Sequence, residues 1–138
     1  MSDEERVAYD FAVLRAVPHV HLGAFVPVGV VVHARTAGYL GMRAVTDARE
    51  LAARVPDVDH ELLARYLRSC CAVAAGEPAA GPVALAPPSE RFHWLTAPRS
   101  DVLQSSPVHA GLTTDPARAL DALFAEYVLG EARPSDPG

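Results

Sequence analysis

The run Val26-Pro-Val-Gly-Val-Val-Val32 constrains this chain more than any other segment. Valines stand at 26, 28, 30 and 32, a spacing of two, which is the side-chain period of a β-strand. Branching at Cβ stiffens valine and suits it to a pleated, packed surface. The pattern predicts a strand over 24–33 whose valine face is core. The run is apolar at nearly every position, as a central strand covered in part on both faces would be. The opposite face would carry Phe25, Gly29, His33 and Arg35, and is expected to be open for docking. Pro27 cannot donate to a ladder, so it predicts an edge or a bulge near the strand's start.

Two neighbours extend this strand into a meander. Residues 9–17 (Tyr-Asp-Phe-Ala-Val-Leu-Arg-Ala-Val) read as a first strand, and 38–45 (Gly-Tyr-Leu-Gly-Met-Arg-Ala-Val) as a third. Thr36-Ala-Gly38 reads as the turn between the second and third. After Val45 the period becomes helical. Thr46 or Asp47 caps a short helix, with Glu50 suited to the return half of a capping box from Asp47, and Pro56 ends it. Asp59 caps a helix over 60–75 with Leu62, Leu63, Tyr66, Leu67 and Cys70 on its buried face, and Gly76 stops it. Thr114 or Asp115 caps a last helix, with Pro116 in its first turn and a stripe of Leu120, Leu123, Phe124 and Val128. Residues 77–89, rich in Pro and Ala, read as a surface loop. Arg91-Phe-His-Trp-Leu-Thr96 reads as a strand, and a further strand or short helix starts near Val102. Strands first and helices later predict an α+β fold: a mainly antiparallel sheet with helices packed on one face. The expectation is one domain over 1–138, with 1–6 and 131–138 as flexible tails.

At 138 residues the chain can bury roughly two thirds of its unfolded surface, enough for a core without staples. Its net charge of −5 argues against nucleic-acid binding, which needs a basic footprint. Every basic residue apart from histidine is arginine; lysine, isoleucine and asparagine are absent, as a GC-rich bacterial genome would produce. Schiff-base and P-loop chemistry by lysine is therefore excluded. The cysteines, Cys70 and Cys71, are adjacent, which excludes a disulfide scaffold and suits a reducing, cytoplasmic location. The acidic N-terminus is unlike a secretory signal, and no apolar run reaches the length of a membrane span.

Chemistry-bearing residues are few. His19 and His21 lack the third ligand and spacing of a metal motif. Cys70 and Cys71 sit late in a helix, where the dipole opposes a thiolate, and read as packing. Ser105, Ser106, His109 and Asp101 contain the residue types of a hydrolase triad without a nucleophile-elbow sequence. The arginines carry more weight. Arg15, Arg35 and Arg43 stand among aromatics on strand faces, where they could hold a phosphate or carboxylate. His33 and His93 have the intrinsic pKa for acid–base work beside them, and Arg99 follows Trp94 in a turn. Arg15, His33, Arg35, Arg43, His93 and Arg99 are thus the candidate ligand-binding residues; no catalytic residue, metal site or cofactor is assigned.

The blocks Tyr9–Pro18, Gly23–Val32, Phe92–Ala97 and Asp115–Phe124 resemble a bacterial family of domains of unknown function, numbered 3037. The resemblance covers nearly the whole chain and implies one α+β domain without an established activity. In relatives the second strand opens on a Gly-Glu-Phe-x-Asn-x-Gly pattern. Ala24 and Pro27 replace its polar positions, so any site those groups serve in relatives is altered here. Some members are encoded beside HipA-like kinase proteins, which implies a protein partner. The leading expectation is a non-enzymatic cytoplasmic accessory or binding protein, acting on a protein partner or as a homo-oligomer through its open sheet face. The alternative is a small enzyme or enzyme subunit acting on an anionic molecule held by arginines. Single-stranded nucleic-acid binding ranks last.

Overall fold

The computed structural model describes residues 5–18, 25–97 and 102–131. The expected meander is present: β1 (Val7–Ala16), β2 (Val26–Ala34) and β3 (Tyr39–Ala44) pair antiparallel in the order β3-β2-β1. The β2–β3 turn is a short 3-10 segment, Arg35–Ala37, closed by Gly38 at φ 63°, a left-handed conformation that favours glycine. Pro27 sits where the β1–β2 register shifts: Leu14 faces Gly29 but Arg15 faces Pro27, leaving Val28 as the extra residue. A bulge is how a central strand tolerates a proline.

The other edge of β1 carries two short strands, β4 (Leu103–Ser105) and β5 (His109–Thr113), both antiparallel to it. Leu14 faces Ser105 and Phe11 faces His109, so one extra residue lies between the two segments. Pro107 has no N–H to offer there. Ser106 repairs the ladder: its N–H bonds to the Val13 carbonyl at 2.8 Å, and its Oγ accepts from the Val13 N–H at 2.9 Å.

The helices begin where their caps specify. The Asp47 carboxylate accepts from the Glu50 N–H (3.2 Å) at the start of α1 (Ala48–Arg54). Asp59 accepts from Leu62 (3.0 Å) to open α2 (His60–Ala75), which Gly76 closes at φ 72°. Asp115 accepts from Ala117 (3.1 Å) and Arg118 (3.3 Å), and Pro116 is the first residue of α4 (Pro116–Tyr127).

Between them lies a helix that replaces the strand expected at 91–96. Pro88–Thr96 is helical and is termed α3. Pro88 at its first position and Glu90 in its first turn are helix-start signals. They override the strand preference of Phe92, His93 and Trp94. The supposed loop before it is also ordered into short 3-10 turns, Pro78–Ala80 and Pro82–Leu85. Arg91 locks α3 to α2. Its Nη1 donates to the Val73 and Ala74 carbonyls at 3.1 and 2.9 Å, and its Nε to Ala86 at 2.9 Å. Ala74 is in the last turn of α2, where carbonyls lack an intrahelical donor; the Val73 carbonyl also accepts the Gly76 N–H at 3.0 Å.

With α3 helical, helices lie on both faces of the sheet rather than one. Val28, Val30 and Val32 join Phe11, Val13, Leu120, Leu123 and Phe124 under α4, in a cluster that continues to Leu51 of α1 and to Leu63, Ala64 and Leu67 of α2. Val31 and Ala12, on the opposite face, join Cys70, Val73, Ala74, Phe92 and Leu95 under α2 and α3. Every residue of β2 from Val28 to Ala34 is buried. The face expected to be free for docking is therefore closed along the middle of the sheet. Gly29 and His33 are buried on it, and only Phe25 and Arg35, beyond the strand's two ends, are exposed. Each buried Val, Leu or Phe contributes about 1.5–3 kcal/mol relative to exposure.

Candidate functional site

The sheet distributes the candidate residues rather than gathering them. Arg43, on β3, lies on the α4 side. Its guanidinium carbon is 4.6 Å from the centre of the Phe124 ring, and Nη1 is 3.1 Å from Asp121 Oδ1. Arg15, near the end of β1, sits 4.3 Å from the centre of the Phe25 ring and reaches the Ser105 carbonyl at 3.4 Å. Its buried Nε has no hydrogen-bond partner among the described residues. Arg35 is exposed at the β2–β3 turn. Arg99, like His19 and His21, lies outside the described residues. Arg15, Arg35 and Arg43 each have separate surroundings and form no common cluster.

His33 is buried against α3. Its ring stacks on Phe92, with centroids 5.2 Å apart and planes 30° apart. Asp10 faces it across the β1–β2 ladder. Burial pushes the His33 pKa below its ordinary 6.5; the Asp10 carboxylate opposes that shift and the Arg35 cation adds to it. The folded protein thus holds this proton less well than the unfolded chain. Below the unfolded value near 6.5 the unfolded state binds more protons, so stability falls as pH drops from there toward the lower folded value. Urea midpoints measured from roughly pH 7.5 to 5.5 should decline, and His33→Leu should flatten the decline.

One turn along, α3 shows a different surface. Ser89, Glu90, His93 and Trp94, with Val83 and Ala86 from the preceding 3-10 turn, line an open, shallow depression. Helical spacing puts Glu90 and His93 on one face, with Trp94 one turn after Glu90. Leu85, adjacent in the chain, is 68% exposed. The sequence signalled His93 but not its neighbours, because a strand reading of 91–96 places Phe92 and Trp94 together and His93 opposite. In the helix Phe92 is core, His93 is exposed and Trp94 is half-buried against the core.

The remaining chemical candidates have structural duties. Cys70 is core, and burial raises the Cys71 thiol further from a reactive thiolate. Ser106 bridges the edge bulge, donating to the Pro107 carbonyl at 2.8 Å. His109 packs on Phe11 at 5.3 Å, and Phe11 in turn meets Tyr127 at 5.8 Å. Among the described residues no group of three His, Cys, Asp or Glu could hold a metal ion. No helix among them is long and apolar enough to cross a membrane.

This arrangement defines an antiparallel-sheet α+β protein with a helix layer on each face and a half-apolar depression on one of them. The family described as "Protein of unknown function (DUF3037)" matches residues 11–128, and the chain belongs to it. Neither curated proteins nor solved structures provide a match.

Proposed function

We propose that this chain is a non-enzymatic, cytoplasmic protein-binding domain, and that the depression on α3 receives its partner. The observation that carries this reading is the composition of that surface. Val83, Ala86 and half-buried Trp94 form an apolar floor. Leu85 stands out beside it, and Glu90 and His93 supply a polar rim. An apolar centre with a polar rim is the anatomy of a protein-binding patch. Glu90 sets the chemistry of the occupant: a protein segment bringing an apolar side chain with a basic group beside it. The HipA-like kinase suggested by the family resemblance is the first partner to examine.

Trp94 is the chain's one tryptophan, so its emission reports on the depression directly. Titration with a HipA-like kinase from the same genome should shift that emission in a saturable way. Leu85→Glu and Glu90→Arg, both at exposed positions, should weaken the interaction about tenfold or more, as truncations at interface centres do. No spectral change, or equal binding by both variants, would count against the reading.

A second reading has one observation behind it. Arg15 stacks on Phe25 with its Nε unpartnered among the described residues, an arrangement that can hold a planar anion. Stabilisation by phosphates, nucleotides or carboxylates in a thermal-shift panel, lost in Arg15→Ala, would favour an enzyme or enzyme subunit. A flat panel would remove it.

A further inference from the structure

His33 stands at the edge of the layer that α3 builds. It is 8% exposed, and its ring stacks on Phe92 with centroids 5.2 Å apart. Among the described residues the ring makes no hydrogen bond. Phe92 and Leu95 are the buried residues of α3, a helix of nine residues with no side-chain cap at its start. A helix this short is held by packing rather than by its own propensity. Beside Leu95 and the hydrogen bonds of Arg91, the stack on His33 is therefore part of what keeps α3 on the sheet. The other neighbour of His33 is a carboxylate. Asp10 is its direct partner across the β1–β2 ladder, so the two side chains stand on one face with Cβ atoms about 4.5–5.5 Å apart. Asp10 is exposed, and so are Ala8, two residues before it, and Ala110, opposite it on β5. These small side chains leave room beside Asp10 for a ring.

We infer that His33 is a proton-operated latch on α3: neutral, its ring backs Phe92; protonated, it swings to the Asp10 carboxylate and leaves α3 less firmly held. Phe92 offers an imidazolium only the face of a ring, at a buried site that strips its water. Asp10 offers it an opposite charge, a charge-assisted hydrogen bond and solvent. The charges around His33 are few. Asp10 on β1 favours the protonated form, and Arg35, just beyond the end of β2, opposes it. Leu40 faces His33 from β3 and brings no charge. From α2 the cluster receives Cys70, Val73 and Ala74, all neutral. On α3, Arg91 is committed to the carbonyls of Val73, Ala74 and Ala86, while Glu90 and His93 line the depression. Glu90, His93 and Trp94 flank Phe92 on the same helix, so the latch governs how firmly the depression is presented. That purpose rests on the reading of the depression as a binding surface; the movement itself does not.

Nuclear magnetic resonance on the full, free chain between roughly pH 7.5 and 5 tests this. At the upper end the His33 ring should give cross-peaks to the Phe92 ring. As His33 titrates, these should fade and cross-peaks to the Asp10 β protons should replace them, while the circular dichroism spectrum stays that of the folded chain. Over the same range the α3 amides, corrected for the intrinsic pH dependence of exchange, should exchange at least about threefold faster. His33→Leu should abolish that acceleration. Asp10→Asn, a substitution at an exposed position, should lower the proton affinity of His33 about two- to fivefold, the worth of an exposed ion pair. A His33–Phe92 cross-peak that persists through the titration overturns the latch, and so does one lost only together with the folded spectrum. A titration unmoved by Asp10→Asn, or α3 amides whose exchange is unmoved by the titration, overturns it as well. The chain is measured without a partner, so each of these outcomes is independent of whether the depression binds one.

Discussion

Val31→Asp should abolish the cooperative folding transition at neutral pH, and so should Val32→Asp. Both valines are fully buried and adjacent in β2, so their side chains enter opposite faces of the sheet. Val32 lies in the cluster that α4 covers, and Val31 in the one under α2 and α3. A carboxylate placed in either apolar cluster loses its hydration, or must take up a proton at neutral pH. The cost is several kcal/mol against a total stability of about 5–15 kcal/mol. Urea unfolding followed by circular dichroism reads the result. A sheet with one dry face would behave differently: Val31→Asp would melt close to the parent, and only Val32→Asp would collapse. The pair thus separates the two architectures in a way that neither variant does alone.

The second large effect is at α4. Phe124 is 5% exposed, sits in the cluster with Val30 and Val32, and carries the Arg43 guanidinium against its ring. Phe124→Ala should cost about 3–5 kcal/mol, the range for emptying a buried aromatic site. Asp121→Ala removes the ion pair to the same arginine and should cost under about 1 kcal/mol. The Arg43 and Asp121 side chains are 49% and 66% exposed, where solvent screens the attraction. Denaturant midpoints of the two variants, compared at unchanged slope, check the ordering. An ion-pair loss as large as the ring loss would mean that α4 is held by charge rather than by packing.

The sequence was most legible where one residue decides a local event. Asp47, Asp59 and Asp115 each accept backbone N–H groups at a helix start, and Gly38 and Gly76 take the left-handed conformation expected where they stand. Pro27 marks a bulge because a missing N–H leaves few alternatives. The α+β class and the meander followed from the valine period. The Arg91–Thr96 segment was misread for a physical reason. Phe92, His93 and Trp94 favour strands by bulk, while the deciding signals, Pro88 and Glu90, lie upstream in a proline-rich stretch that resembles a loop. That one reading also set the layer count, because removing α3 leaves too little helix to cover the second face. Leu62 shows the limit of spacing arguments: placed on the buried stripe of α2, it is 50% exposed. β5 escaped notice because His-Ala-Gly-Leu-Thr carries little strand preference of its own. Its place is set by pairing with β1. The site residues were legible only as types. Arg15, Arg35 and Arg43 stood out as cations beside aromatics, yet the ring each meets depends on register and on which helix crosses which face.

The architecture rests on helices packed against opposite faces of one sheet, and a single nuclear Overhauser spectrum of the full chain tests it. Cross-peaks should join the His33 ring to the Phe92 ring, whose centres are 5.2 Å apart. In the same sample, the Arg43 side chain should give cross-peaks to the Phe124 ring, 4.6 Å away. A spectrum showing the Arg43 contact but none between His33 and Phe92 would contradict the second helical layer.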